Sequence, residues 1–449
     1  MRVLIVLPPM VPSYFNAGHH LPIFQVAAYI RKNVPDAKVT CIDGAALNLT
    51  WRDLCAPLAS RPDVICVMND LDGIDAFPRF MRYARELAPD ARTITFGRLS
   101  GYVPRFFERY GFDAIAFGGD YEAAVTASLR PACGAEIPGV ALREDGVYRH
   151  TPGGLALNAE DWVFPDIGEI PYGAYERLYL EDLNKFCGIP ARRELVVPIA
   201  RGCPINCAYC DVPKLQGRKE RRVAVDSVLD YIEQSASSFE YVSFYAPTFT
   251  LNRNWVLQFC AAKRRRGIAI PWKCVTTLDT LDTSLVEEMA AAGCVRVSIG
   301  LETLDPVASR GLPKTKQHAE LAMRGIAADC ARAGIELNCF VMLGMPGDSA
   351  EGMRYTVDAV LDTGARLRPT VYTPYHLLRD DMSELEVSGL NRQLVAGGLD
   401  DIDRAALYRL IYQNARDVPT TTTLKIPARR AASPMEFPRA TVHALAKRA

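Results

Sequence analysis

The chain has 449 residues, and its 52 Lys and Arg balance 52 Asp and Glu to zero net charge. This length accommodates two or three domains with their own cores, and the balance argues against a nucleic acid or anionic membrane held mainly through phosphate neutralisation. Apolar residues at 49% and charged residues at 23% are ordinary globular usage and exclude disordered and fibrous classes.

The opening MRVLIVLPPM is too short an apolar run for a secretory leader, and no later stretch approaches a membrane span. A soluble cytoplasmic protein is expected. Its thirteen cysteines, odd in number and scattered, make a poor disulfide framework. Ten of them, such as Cys66, Cys294 and Cys339, read as small core residues; Cys203, Cys207 and Cys210 fall within eight residues and need another explanation.

From Met1 to Arg130, short β-branched runs alternate with helical spacing. The predicted strands are Val3–Leu7, Lys38–Ile42, Asp63–Met68, Thr93–Phe96 and Asp113–Phe117; the first predicted helix, over Leu21–Lys32, sets Leu21, Phe24, Ala28 and Ile30 near one face. Five βα units predict a Rossmann or flavodoxin-like doubly wound parallel sheet with its ligand at the strand carboxyl ends. Residues 131–193 read as an ordered linker with a hairpin marked by Asp145-Gly146.

Alternation resumes at Glu194. Six predicted strands, Glu194–Ala200, Tyr241–Ala246, Trp272–Thr277, Val295–Glu302, Ile335–Leu343 and Leu367–Tyr375, suggest a partial (β/α)6 barrel over 194–380 with its site at the strand carboxyl ends. Pro198 fits an edge strand, which can spare one N–H. Residues 381–449 read as a mostly helical segment.

Cys203-Pro-Ile-Asn-Cys207-Ala-Tyr-Cys210 follows the first barrel strand directly. Three thiolates on one loop can hold three irons of a [4Fe–4S] cube, leaving the fourth iron open to substrate chemistry. Zinc would want a fourth protein ligand nearby, and none is evident in the sequence.

The spacing, with Tyr209 before the last cysteine, resembles the cluster loop of the radical S-adenosylmethionine (SAM) superfamily. VSFYAPTFTLNRNW, AIPWKCVTTLDTLD, MAAAGCVRVSIGLETLD and GIELNCFVMLGMPGD resemble successive strands of one branch, whose members carry a cobalamin-binding domain ahead of the barrel. LPIFQVAAYIRKN and IPGVALREDG are similar to that branch's first helix and interdomain hairpin.

The resemblance implies that Cys203, Cys207 and Cys210 ligate the cluster and that Tyr209 packs on the adenine side. It implies that Glu302 meets the ribose or methionine of SAM, against the alternative of a helix N-terminal carboxylate, and that backbone at Ala246, Pro247 and Thr248 receives the methionine amino group. Ser298 reads either as a ligand contact or as a buried hydroxyl, and Met342 as an adenine neighbour or plain core.

The sequence also departs from the branch. Ala246-Pro247 replaces a pair of aspartates, Thr277 a frequent Arg, and Phe96-Gly-Arg-Leu-Ser-Gly101 a glycine-rich segment, while Gly118-Gly-Asp-Tyr-Glu122 replaces an acidic turn and D-x-H-x-x-G is missing. Arg98, Leu99 and Tyr121 are expected to fill or line the corrin crevice, so cobalamin use is doubted. On that footing the chain is most similar to the cobalamin-independent aminoglycoside diol dehydratases, implying a pseudodisaccharide substrate, a reducing system such as flavodoxin and a nicotinamide-dependent reductase acting on the product. The alternative is a cobalamin-dependent radical SAM methyltransferase acting on a natural product.

General acid–base work is assigned to Tyr372 and His376, with Tyr375 beside them and a hydrogen-bonded structural role as the alternative for His376; the loop aspartates Asp70, Asp72, Asp120, Asp380 and Asp381 read as carboxylates for an amine-bearing substrate or as solvated turn residues. The basic runs Arg218–Arg222 and Lys263–Arg266 read as solvated surface.

Overall fold

The computed structural model describes residues 1–10, 17–181, 188–189 and 192–392. The expected C-terminal helical segment therefore lies largely outside the described residues. Two compact units emerge: Met1–Glu181 with Tyr375–Arg392, and the described part of Asp182–Pro374.

The first unit runs β1 (Arg2–Leu7), α1 (Ala17–Asn33), β2 (Lys38–Asp43), α2 (Trp51–Ala59), β3 (Val64–Asn69), α3 (Phe77–Leu87), β4 (Arg92–Gly97), β5 (Ala114–Ala116), α4 (Tyr121–Ser128), β6 (Val140–Glu144), β7 (Val147–Thr151) and α5 (Tyr172–Glu181). Its sheet order is β2-β1-β3-β4-β5-β6-β7, and the first five strands are parallel, as the five βα units predicted. All six residues of β3 are buried, as expected of a strand covered on both faces. Thr50 starts α2 with a reciprocal capping box to Asp53.

The segment read as a linker hairpin instead extends this sheet. β6 pairs antiparallel with β5 and with β7, and Asp145 and Gly146 both have positive φ, 50° and 83°, as a two-residue primed turn requires. Phe77, Phe80, Phe106, Phe107 and Phe112 form the core on one face, with Val387 and Leu390 buried among the same cluster. Those last two residues explain why Tyr375–Arg392 groups with this unit rather than with the barrel strand preceding it.

The second unit comprises β8 (Glu194–Pro198), β9 (Ala200–Arg201), α6 (Val212–Leu215), β10 (Arg221–Arg222), α7 (Val225–Ser235), β11 (Tyr241–Tyr245), α8 (Arg253–Arg265), β12 (Trp272–Thr276), α9 (Thr283–Ala291), β13 (Cys294–Glu302), α10 (Glu320–Ala333), β14 (Glu336–Leu343), α11 (Ala350–Asp362) and β15 (Arg366–Val371). One further helix, α12 (Glu384–Arg392), lies in the first unit. Six parallel strands lie in the order β8-β11-β12-β13-β14-β15. Pro198 sits on the edge strand β8 opposite Tyr245, as its missing N–H predicted.

On the helix-facing side, Phe244 lies 5.1 Å from Phe259 and 5.5 Å from Trp272, both edge to face, while Trp255 stacks on Phe259. Such pairs contribute about 0.5–1.5 kcal/mol each beyond burial. At the amino-terminal ends of the strands, buried charges are paired. Arg296 Nε lies 2.6 Å from Glu336 and its Nη1 donates to the Gly188 carbonyl, and Tyr241 donates to Glu194 at 2.9 Å. Pairing keeps these inward ions from incurring the full cost of desolvation.

Two surface expectations are corrected here. Arg222 is not solvated: its Nη1 donates to the Phe249 carbonyl and its Nη2 to that of Thr248, with the guanidinium 4.9 Å over Trp255. Lys263 is buried and donates to Ile268, while Arg266 reaches Asp226, Asp230 and Glu233. A third correction concerns the ten cysteines read as core, since Cys133 is exposed and Cys41 and Cys55 are only partly covered. Cys187 lies outside the described residues. No helix among the described residues is long and apolar enough to cross a membrane.

Candidate active site

The cluster loop is shaped by its backbone. After β8 the chain makes the two-residue β9, paired antiparallel with β10, then turns at Gly202, where φ is 82° and an added Cβ would lie 2.2 Å from the Lys219 carbonyl oxygen. Only glycine fits there. Cys203 N donates to the Gly217 carbonyl at 3.1 Å, Cys210 N donates to Cys207 at 3.1 Å, and Asn206 between them takes positive φ. These bonds hold three thiols on one short loop at the carboxyl end of the first barrel strand.

Burial pushes the Cys207 thiol up, against the opposing influence of Tyr209 and Lys316. Burial likewise pushes Cys210 up, to about 12, with Asp211, Cys207 and Cys203 adding to it. Buried thiolates therefore need compensating positive charge, which iron would supply. Among the described residues no three His, Cys, Asp or Glu groups converge on a single metal ion; ligands of a cube bind separate irons and need not converge. The donor set suits a cluster.

Tyr209 stands within hydrogen-bonding reach of both the Cys207 thiol and the Glu302 carboxylate; burial, then the charges of Glu302 and Cys207, raise its pKa. Glu302 ends β13 at φ 67°, where the register with β14 slips between Gly300 and Glu302. Strain at a non-glycine residue beside a bulge marks a position that the surroundings over-determine. Lys316 supplies that constraint, donating to Glu302 Oε1 at 3.0 Å and to the Gly300 carbonyl at 2.9 Å, all buried. Nothing in the sequence singled out Lys316, which lies in a loop 14 positions after its partner.

Two buried polar atoms near this pair lack partners, Thr277 Oγ1 and His318 Nε2. Burial lowers the His318 pKa, with Lys316 adding to it and Asp279 and Glu302 opposing. Orphaned polar atoms beside a strained carboxylate fit a polar ligand.

The other expected residues divide. Cys203 Sγ lies 3.9 Å from Thr248 Oγ1, and the Thr248 carbonyl accepts from Arg222 at 3.1 Å. Ser298 accepts a bond from Asn338 at 3.1 Å. Tyr372 is buried in an apolar cluster with Leu312 and Met345, against which Tyr209 and Met342 pack. His376 falls instead in the first unit, in the turn Tyr375–Leu377, so it and Tyr372 do not share a unit. Asp120 is buried and accepts from Leu157 N, and Asp380 accepts from Phe106 N, which are structural tasks.

In the first unit, Leu99 does not fill the strand-end crevice as expected. It is buried in the aromatic core, beside a turn in which the Ser100 N–H donates to Asn69 Oδ1 and the Ser100 hydroxyl donates to the Ala116 carbonyl. Arg98 pairs with Asp70 and donates to Tyr375, and Tyr121 packs on Phe96.

A partial barrel with three cysteines on its first loop and a strained carboxylate ending its fourth strand is the arrangement that the resemblance to radical SAM enzymes implies. Residues 197–360 match the model of the Radical SAM superfamily. Such a domain implies a [4Fe–4S] cluster and SAM. The chain is similar to an uncharacterized methyltransferase of Pyrococcus horikoshii, 25% identical over 68% of this chain and 66% of the relative. It is also similar to an anaerobic magnesium-protoporphyrin IX monomethyl ester cyclase of Rubrivivax gelatinosus, 23% identical over 84% of this chain and 68% of that one. The chain thus spans about two thirds of the length of these relatives. Among solved structures, the radical SAM methyltransferase TsrM from Kitasatospora setae superposes with TM-score 0.67 at 18% identity, covering 83% of this chain and 73% of TsrM. The cobalamin-dependent SAM radical enzyme OxsB superposes with TM-score 0.61 at 18% identity, covering 92% of this chain and 56% of OxsB. At these identities the likeness is one of fold.

Proposed function

We propose that this radical SAM enzyme is a cobalamin-dependent methyltransferase acting on a small molecule, rather than the diol dehydratase favoured by the sequence. The observation that carries this reading is the similarity to an uncharacterized methyltransferase, 25% identical over 68% of the chain. The fold likeness to TsrM and OxsB, both solved with cobalamin, supports it. The case against cobalamin rested partly on Leu99 occupying the crevice, and Leu99 is in the core. None of the relatives named above is a dehydratase.

When bound, the cluster and SAM supply the reducing electron, the methyl group and the 5′-deoxyadenosyl radical, and cobalamin supplies a methyl carrier. The chain's residues do the positioning. Cys203, Cys207 and Cys210 would hold three irons of the cluster and leave the fourth open to SAM. Glu302 presents a carboxylate held by Lys316, with Tyr209 beside it. The apolar wall of Leu312, Met345 and Tyr372 keeps water from the reacting face.

Anaerobic reconstitution with iron, sulfide and hydroxocobalamin, followed by reduction with SAM, tests this reading through the fate of SAM. S-adenosylhomocysteine accompanying 5′-deoxyadenosine supports methyl transfer, and 5′-deoxyadenosine alone supports the dehydratase.

A further inference from the structure

Of the two basic runs in the sequence, one is not absorbed by the fold. In Lys263–Arg266, Lys263 donates to the Ile268 carbonyl, Arg264 pairs with Glu288 at 2.8 Å and Arg266 reaches three carboxylates. In Arg218–Arg222, Glu220 is taken by Arg222. Arg218 and Lys219 are exposed and meet no carboxylate among the described residues. Residues 199–223 carry six Lys and Arg against Asp211 and Glu220 alone, a surplus of four in a chain of zero net charge.

That surplus lies on the cluster loop. β9 and β10 pair antiparallel, Ala200 opposite Arg222 and Arg201 opposite Arg221, and so close residues 202–220 into one flap. Its first half holds Cys203, Cys207 and Cys210; its second half holds Lys214, Gly217, Arg218 and Lys219, all exposed. The halves touch through backbone. Cys203 N donates to the Gly217 carbonyl at 3.1 Å, Arg221 Nη2 donates to the Gln216 carbonyl at 3.1 Å, and Gly202 packs against the Lys219 carbonyl too closely for a side chain. Arg218 thus follows directly on the residue whose carbonyl holds a cluster ligand's N–H. Cys203 and Cys207 are themselves buried, so the outer half of the flap offers a docked protein a short bonded path to them.

We infer that the exposed Arg218–Lys219 corner, with Lys214 on the same flap, is the docking surface of an acidic, low-potential one-electron carrier protein. The inference rests on the cluster assigned to Cys203, Cys207 and Cys210. One electron leaves the reduced carrier, which is oxidised by one equivalent, and enters the cluster, which is reduced by one; no bond forms or breaks. Redox encounters of this kind use small, transient interfaces. Their rate comes from complementary charge that steers the approach, so a few uncompensated cations matter more than contact area.

The test is stopped-flow reduction of the full-length, anaerobically reconstituted chain, followed by bleaching of the cluster's visible absorption. Fully reduced flavodoxin serves as the acidic protein donor, and photoreduced deazariboflavin, which is uncharged, as the control. For the parent chain the flavodoxin rate constant should fall about tenfold or more as ionic strength rises from about 20 mM to about 0.5 M, where the screening length is about 4 Å. The deazariboflavin rate should stay level. The double variant Arg218→Glu, Lys219→Glu should lose about tenfold with flavodoxin at low salt and nothing with deazariboflavin. Should charge reversal prevent cluster assembly, Arg218→Gln, Lys219→Gln decides instead, with a several-fold loss expected. A parent rate indifferent to salt, or a variant as fast as the parent, overturns the docking surface and leaves the cluster standing. Equal losses with both reductants also overturn it, making the two residues supports of the loop. A parent chain that assembles no cluster overturns the cluster reading and this inference together.

Discussion

Glu302 and Lys316 form a buried ion pair across a strained bulge: the carboxylate accepts from the ammonium at 3.0 Å while its backbone stands at φ 67°. A Cβ at Gly300 would lie 2.5 Å from both Lys316 Nζ and Glu302 Oε1, so the pair exists because residue 300 has no side chain. Lys316 also donates to the Gly300 carbonyl. Such a residue positions the carboxylate rather than reacting.

Removing one partner leaves a buried charge unpaired, which typically costs 3–5 kcal/mol. Lys316→Met is expected to lower the unfolding free energy read from urea titration by that order and to weaken SAM binding. The double variant Glu302→Gln, Lys316→Met should recover part of the stability but not the SAM affinity. Independent, additive losses in this cycle would contradict the coupling.

Cluster assembly separates the cysteines by place. Cys203→Ala, Cys207→Ala and Cys210→Ala should each lose most iron and sulfide after anaerobic reconstitution, since each removes one of three ligands. Cys294→Ala should retain them, because Cys294 is buried at the start of β13, away from the loop. Equal iron content in all four chains would rule out the assignment.

Tyr209 bridges the loop to the carboxylate. Tyr209→Phe keeps the ring's packing against the cluster of Leu312, Met345 and Tyr372 but removes the hydroxyl beside Glu302, so cluster content should hold while the SAM dissociation constant rises several-fold, about 1 kcal/mol for one hydrogen bond. Loss of iron instead would make Tyr209 a support of the loop.

Burial raises Asp348, at the loop after β14, to about 6. Its folded pKa lies above the unfolded value of 3.8, so the stability linked to its proton is fully present below about pH 4 and lost as pH rises through about 6. Asp348→Asn, which keeps an oxygen for the Met345 N–H, should therefore be more stable than the parent at pH 7–8, by about 1 kcal/mol after allowance for solvent screening. Thermal melts should show the difference vanishing near pH 4.

Strand runs were legible wherever β-branched residues clustered: the predicted Tyr241–Ala246 is observed at Tyr241–Tyr245, and the predicted Ile335–Leu343 at Glu336–Leu343. The cysteine loop was legible because its chemistry is contiguous. Lys316 and Arg222 were not, since each matters through a partner brought close only by folding: Glu302 and the Thr248 carbonyl. Leu99 was misread for the related reason that bulk in a sequence does not reveal which way a turn directs it.

The central claim is methyl transfer by a cluster-bearing, cobalamin-using enzyme. The most direct measurement is the yield of S-adenosylhomocysteine and 5′-deoxyadenosine from the reduced, reconstituted chain with SAM, with and without hydroxocobalamin. The account predicts S-adenosylhomocysteine that depends on the added corrin; 5′-deoxyadenosine alone, unchanged by corrin, would contradict it.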